Sequence, residues 1–195
     1  MEQQEILTLL QQVAEGSVTP QQAELQLKMA PFEDLGFAKL DHHRALRQGV
    51  AEVIYGAGKT PEQIRAIAQA MLARGQRTVL ITRMSAEAAE AMEGLPFRYD
   101  PLSRVGIAGT LPEPDGHGTI LIATGGTSDQ PVAEEAALTA EALGNRVVRL
   151  YDVGVAGLHR LLAHLDEIMS AQVIVAIAGM EGALASVIGG LADCP

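Results

Sequence analysis

The chain has 195 residues, of which 48% are hydrophobic and 19% charged, with 20 Gly, 9 Pro, one Cys and no Trp; this is the composition of a globular protein, neither disordered nor fibrous. Fourteen Lys+Arg against 24 Asp+Glu give a formal charge of -10, which excludes a general nucleic-acid binder and a docking protein for anionic membranes, because both need clustered cations. One cysteine cannot form an internal disulfide, no apolar run approaches the roughly 20 residues of a membrane span, and Met1 to Gln12 carries Glu2 and Glu5 rather than a basic apolar leader, so a cytoplasmic location is expected.

Taken in chain order, the first stretch is helical. Ile6, Leu9, Leu10 and Val13 recur at helical spacing, and Thr19-Pro20 supplies a cap and an N1 proline for a second short helix. Glu52 to Tyr55 reads as a strand. Thr60-Pro61-Glu62-Gln63 is a capping box that opens a helix with Ile64, Ile67, Ala68 and Met71 on one face. Thr78 to Ile81 is the next strand, Ser85 caps another short helix, and Phe97 to Tyr99 is a further strand. The Gly- and Pro-rich passage Leu111 to Gly118 is the clearest boundary in the chain. It divides an α+β region over residues 1–113 from a second domain over 114–195.

Beyond the boundary the pattern is regular. Thr119 to Ala123 is an uninterrupted apolar strand, a Gly125-Gly126 turn follows, and Pro131 to Leu143 is a helix closed by Gly144. Val147 to Tyr151 is a strand, Gly157 to Met169 a helix with Leu161, Leu162, Leu165 and Ile168 inward, Val173 to Ala178 a strand, and Glu181 to Leu191 a helix. This alternation predicts a parallel sheet covered on both faces. The last helix calls for one more sheet partner, so a further strand is expected beyond Pro195.

Three strand ends carry the candidate chemistry. The turn Gly125-Gly126-Thr127-Ser128-Asp129 feeds a helix N-terminus, where backbone N–H groups and two hydroxyls can hold a phosphate; the plain alternative is a helix cap at Ser128 or Asp129. A β-carbon at Gly126 is expected to crowd that anion. The second strand end, Asp152 to Arg160, offers His159 for proton transfer and Arg160 as an anion clamp. The third, Ala178 to Leu184, offers Gly179 for close approach and Glu181, either as a proton-transfer group or only as a dipole partner in the first turn of its helix. In the amino-terminal half, Asp41-His42-His43-Arg44 with Arg47, and Gly56 to Thr60 with Lys59, form a further polar cluster. Adjacent histidines point about 100° apart on a helix, so a zinc site is not expected there.

These motifs resemble a known family. Gly125-Gly126-Thr127-Ser128-Asp129, Gly157-Leu158-His159-Arg160 and Ala178-Gly179-Met180-Glu181-Gly182-Ala183 are similar to the three loops of the PurE family of aminoimidazole ribonucleotide carboxylases and mutases. The departures are Gly126 in place of a serine, Gly157-Leu158 in place of Ser-Ala, and Ala185 in place of a second histidine. Asp41-His42-His43-Arg44, Arg47-Gln48-Gly49 and Glu52 to Gln63 resemble the LarB family of nickel-pincer nucleotide cofactor synthesis, in which a PurE-like domain follows a distinct amino-terminal region. Ala51 stands where that family commonly has proline.

The resemblance implies a PurE-like, flavodoxin-like three-layer parallel sheet domain and a reaction on nicotinic acid adenine dinucleotide. In that reaction the pyridinium ring is carboxylated at C5 with CO2 or bicarbonate as co-substrate, and the phosphoanhydride is hydrolysed to give pyridinium-3,5-biscarboxylic acid mononucleotide and AMP. Because a pyridinium carbon is electron-poor, a thiolate must add to the ring first. The family's cysteine falls beyond Pro195, and Cys194 does not match it. By the same resemblance His159, Glu181 and Asp129 are the catalytic candidates, and Gly125, Gly126, Thr127, Ser128, Arg160, Asp152, Gly179, Lys59 and Arg44 the substrate-binding ones. Mg2+ is expected at the phosphoanhydride with unassigned ligands, Asp129 being one possibility, and a homo-oligomer, an octamer in PurE-like domains, is expected as the assembly. Two other readings stand beside it: a purine-pathway aminoimidazole ribonucleotide carboxylase or mutase, disfavoured by Ala185 and the long amino-terminal region, and an inactive nucleotide-binding module.

Overall fold

A computed structural model of the chain describes residues 3–29, 33–41, 44 and 48–195, without the side chains of 3–5, 28 and 29. The His42-His43 pair and Arg47 lie outside the described residues. The chain opens with helices α1 (Gln3–Ala14) and α2 (Pro20–Met29), which bury Leu9 and Ala23. The short strands β1 (Glu33–Asp34) and β2 (Lys39–Leu40) then pair antiparallel.

A four-stranded sheet follows, in the order β3-β4-β6-β5. Its strands are β3 (Ile54–Tyr55), β4 (Thr78–Thr82), β5 (Phe97–Asp100) and β6 (Val105–Gly109). β3 and β4 are parallel, joined by α3 (Pro61–Ala73), the short helix α4 (Ala86–Glu90) capped by Ser85 follows β4, and β6 pairs antiparallel with both β4 and β5. The expected capping box is present: the Gln63 amide donates to Thr60 Oγ1 and the Thr60 amide donates to Gln63 Oε1. All four residues expected on the inner face of α3, Ile64, Ile67, Ala68 and Met71, are buried. Thr60→Ala is expected to cost about 1 kcal/mol, read as a lower thermal midpoint, because the Gln63 amide loses its Oγ1 acceptor while the reciprocal bond from the Thr60 backbone amide remains.

β6 is the strand that hydrophobic patterning does not reveal. Val105-Gly106-Ile107-Ala108 is buried throughout because it lies between two partner strands with apolar residues on both faces. Its glycine is required by space, since a β-carbon at Gly106 would sit 2.6 Å from Met84 Sδ and 2.8 Å from the Phe97 ring.

The second sheet is three-stranded, parallel and ordered β8-β7-β9, from β7 (Thr119–Thr124), β8 (Arg146–Leu150) and β9 (Val173–Ile177). Helix α5 (Gln130–Ala142) packs Ala133 and Ala137 against Ile122 of β7, and it also brings Leu138 and Ala142 to Leu80, Val105 and Ile107 of the first sheet. One helix therefore serves both sheets. Arg83 at the end of β4 adds an ion pair to Glu135 of α5 at 3.1 Å. Near the outer edge, Arg149 bridges Glu134 and Glu141, and Tyr151 donates to Glu134. Burial pulls the Arg149 guanidinium down, but its two carboxylate partners outweigh that and raise it, while burial and then Glu134 raise the Tyr151 phenol.

The opposite face is covered by α6 (Leu158–Leu162), α7 (Leu165–Ser170) and α8 (Ala183–Gly189), which contribute Leu161, Ile168, Leu184 and Ile188 to a core with Leu121, Ala123 and Leu150. The sequence predicts one helix from Gly157 to Met169; two short ones are present, separated at Ala163-His164. His164 Nδ1 meets Glu167 Oε2 at 2.6 Å in the first turn of α7. The change of direction lets Leu161 and Ile168 both reach the sheet and leaves Leu162, expected to face inward, 43% exposed. The last helix also starts later than expected: Gly182 adopts a left-handed conformation, with φ of +69°, and the helix begins at Ala183.

Candidate functional site

The order β8-β7-β9 places the first of the three strands in the centre, so the chain crosses back over β7 on its way from β8 to β9. In open α/β sheets such a reversal leaves a crevice beyond the carboxyl ends of the two strands that part there. A cavity of about 290 Å³ lies at this point, lined by Gly125, Gly126, Ser128 and Asp129 after β7, Gly154, Val155, Ala156 and Arg160 after β8, and Ala178 to Glu181, Ala183 and Leu184 after β9. It is near the lower end of the usual range for small-molecule sites, and suits one ring with its sugar better than an extended dinucleotide.

Thr124 ties the loops together. Fully buried at the end of β7, it accepts the Asp152 amide on Oγ1 at 3.0 Å and the Val153 amide on its carbonyl at 3.0 Å. On the other side the Gly125 amide donates to the Ile177 carbonyl at 2.9 Å. Thr124→Val keeps the shape and removes one acceptor, leaving the Asp152 N–H without its side-chain partner. A loss of about 1 kcal/mol in thermal unfolding is expected, with faster amide exchange at Asp152.

A close approach of backbone to backbone occurs between Gly125 and another glycine, Gly154. A β-carbon at Gly154 would collide with the Gly125 carbonyl, whose carbon is 3.2 Å from that position. Gly126, by contrast, has extended backbone at φ -151°, and the nearest atom to a β-carbon there is Asp129 Oδ2 at 4.0 Å. Within the fold itself the glycine required for space is therefore Gly154, beside Gly125, while the expected crowding at Gly126 concerns a bound anion. The Gly126 amide is also engaged, donating to Asp129 Oδ2 at 2.9 Å. Asp129 occupies the N-cap position of α5, as the simpler reading of the motif expects, but makes no side-chain bond to the helix; its carboxylate folds back onto the glycine turn instead.

Of the other residues singled out in the sequence, Ser128 and Glu181 line the cavity and are exposed, and Gly179 lines it at the base of the last loop. Glu181 lies in the turn before α8, not in the first helical turn, so its helix-dipole reading does not hold. Arg160 lines the cavity but is already paired, with Nη1 at 2.8 Å from Asp152 Oδ2. Asp152 reaches the site only through that pair, from a left-handed backbone with φ of +57°. Thr127 and His159 are exposed and do not line the cavity. Lys59 and Arg44 are exposed residues of the amino-terminal half and do not line it either. Cys194 packs against the core beneath α8, away from the lining.

Thr124, Gly154 and Met180 stand within the three strand-end motifs, but motif reading assigns them no role. The signal for Thr124 was a hydroxyl closing an otherwise apolar strand; for Gly154 it was a glycine three residues before Gly157.

A parallel α/β sheet with its cavity at a strand-order reversal, walled by glycine turns and rimmed by one arginine and two carboxylates, defines an α/β protein with a candidate ligand site where open α/β sheets commonly place one. Residues 32–109, which span β1 to β6, match the LarB/PurE-like N-terminal domain family. The chain is also 34% identical over 190 residues to the uncharacterized protein MJ0165 of Methanocaldococcus jannaschii, an alignment covering 92% of this chain and 74% of that one. The chain belongs to the LarB family, a carboxylase-type family of the LarB/PurE kind.

Proposed function

We propose that the cavity binds the nicotinate ribotide half of nicotinic acid adenine dinucleotide, and that the protein serves pyridinium-3,5-biscarboxylic acid mononucleotide synthesis, with carboxylation at pyridinium C5 and hydrolysis of the phosphoanhydride to release AMP. The observation that carries this reading is the convergence of three loops, Gly125 to Asp129, Gly154 to Arg160 and Ala178 to Leu184, on one cavity in a LarB-family chain. The strand order is the one with which a flavodoxin-like sheet begins, which supports a PurE-like domain over residues 114–195.

In this reading the glycine floor lets the ring lie against the backbone. The Arg160-Asp152 pair holds an anionic group by sharing its guanidinium, and Glu181, exposed at the cavity, moves the ring proton to solvent. His159 acts from outside the lining only if its short helix turns inward, so Glu181 is the stronger proton-transfer candidate.

Among the described residues no three His, Cys, Asp or Glu side chains converge to hold a metal ion by themselves. Asp129 and Glu181 fit a Mg2+ that arrives on substrate phosphates, which needs only one or two carboxylates and would offset charge at the phosphoanhydride. CO2 or bicarbonate is the co-substrate, and a cytoplasmic homo-oligomer, by resemblance an octamer, is the expected setting. No helix among the described residues is long and apolar enough to cross a membrane.

Calorimetric titration tests the reading. Nicotinic acid adenine dinucleotide is expected to bind at least tenfold more tightly than aminoimidazole ribonucleotide; the reverse order would favour a purine-pathway enzyme. Because Cys194 is away from the cavity, this 195-residue chain is expected to bind the dinucleotide without carboxylating its ring, and mass spectrometry with isotopic bicarbonate checks that.

A further inference from the structure

The Met180 side chain packs against nothing among the described residues. It is 102% exposed, the highest value among the described large apolar side chains, although it lines the cavity beyond the carboxyl ends of the second sheet. Its backbone is left-handed, with φ of +54°, a conformation disfavoured for a residue with a β-carbon. Gly179 precedes it and the left-handed Gly182 ends the same turn. An exposed methionine held out by such a turn contributes nothing to the core, so its place is to be explained by what enters the cavity.

The remaining wall narrows the choice. Beside the larger side chains of the wall, Gly125, Gly126, Gly154, Ala156, Ala178 and Gly179 carry no side chain longer than a methyl group, so a ligand can lie directly against their backbone. A planar aromatic ring suits such a floor, and a thioether is a soft, polarizable surface that makes favourable contacts with aromatic rings.

We propose that Met180 is a positioning residue that closes over one face of a nucleotide's heteroaromatic ring while the other face rests on the glycine floor. The proposal rests on the reading of the cavity as a nucleotide site and adds the residue that selects the ring. An unbranched side chain with three rotatable bonds can swing from solvent onto the ring without moving the backbone.

The test uses protein carrying 13C-methyl methionine and 15N, with the Met180 resonance assigned from Met180→Leu. Titration with nicotinic acid mononucleotide is expected to move the Met180 methyl upfield by ring current and to shift the Gly126 amide. A second titration with AMP establishes whether the pyridinium or the purine produces the shift. A moving Gly126 amide with a fixed Met180 methyl overturns the clamp while leaving the nucleotide site standing. Neither signal moving with either nucleotide overturns the site itself, and the clamp with it. A Met180 methyl that moves on dilution of the free protein overturns the proposal in favour of a second copy covering this side chain. Met180→Ala is expected to weaken nicotinic acid mononucleotide by about fivefold and to leave ribose 5-phosphate, which lacks the ring, unchanged. Equal weakening of both ligands would mean that the residue supports the loop and not the ring.

Discussion

Gly154→Val is expected to weaken nucleotide binding and to destabilise the second sheet, whereas Gly126→Val should leave the fold intact. The two glycines differ in what surrounds them. Gly154 has φ of -59° and ψ of 150°, an extended conformation open to any residue, so its requirement is space and not dihedral freedom. A β-carbon there collides with the Gly125 carbonyl and lies 3.5 Å from the Gly125 α-carbon. Those atoms are backbone and cannot rotate away. Either the glycine turn or the loop after β8 must move, and both are anchored on Thr124 and Ile177. Overpacking of this kind typically costs about 1–3 kcal/mol, and a displaced Gly125 opens the floor of the cavity. Affinity for nicotinic acid adenine dinucleotide should fall at least about tenfold, or roughly 1.4 kcal/mol. Melting curves beside calorimetric titrations of the two variants provide the comparison. A Gly154→Val protein with wild-type midpoint and affinity would show that the loops are free to separate.

Much of this arrangement was legible in the residues. The capping box at Thr60, the apolar strand ending at Thr124, the glycine turns and the C-terminal Gly144 each declare a local conformation, and a parallel sheet follows from their alternation. What stayed hidden depends on partners distant in sequence. β6 carries two glycines and no alternation, because both of its faces and both of its edges are covered; only the Met84 sulfur and the Phe97 ring explain Gly106. The break at His164 has no proline or glycine to announce it and arises from a local His-Glu contact together with the sheet's demand for both Leu161 and Ile168. The role of α5 as a layer shared by two sheets is likewise invisible in a helical pattern, since Ala133 and Leu138 look alike until their neighbours are known.

The same limit applies within the site. Motif reading puts Asp129 and Arg160 at the strand ends, where they are, but takes their charges as available to a ligand. In the folded chain each is already engaged, Arg160 with Asp152 and Asp129 with the Gly126 amide. Local sequence specifies which groups reach a strand end. Which of them satisfy one another there depends on loop geometry.

The engagement of Asp129 leads to a second result of large expected size. Its carboxylate accepts the N–H that a phosphate at the glycine turn would use, so an anion must displace that carboxylate and also tolerate its charge nearby. Two unit charges about 4 Å apart at an effective dielectric constant near 40 repel by roughly 2 kcal/mol. With divalent cations chelated, Asp129→Ala should therefore bind inorganic phosphate at least about tenfold more tightly than the wild type, roughly 1.4 kcal/mol. The variant also loses the bond that closes the turn, and its thermal midpoint should drop, by about 1 kcal/mol in stability terms. Asp129→Asn separates the two causes. Its amide oxygen can still accept the Gly126 N–H but carries no charge, so a gain equal to that of the alanine variant assigns the effect to repulsion, and a smaller gain assigns it to occupation of the donor. In the presence of Mg2+ the order should reverse for nicotinic acid adenine dinucleotide, because the carboxylate then faces a cation carried by the phosphates. Phosphate binding weakened in both variants without Mg2+ would mean that the Gly126 amide is a structural donor only, and that the anion is held elsewhere in the cavity.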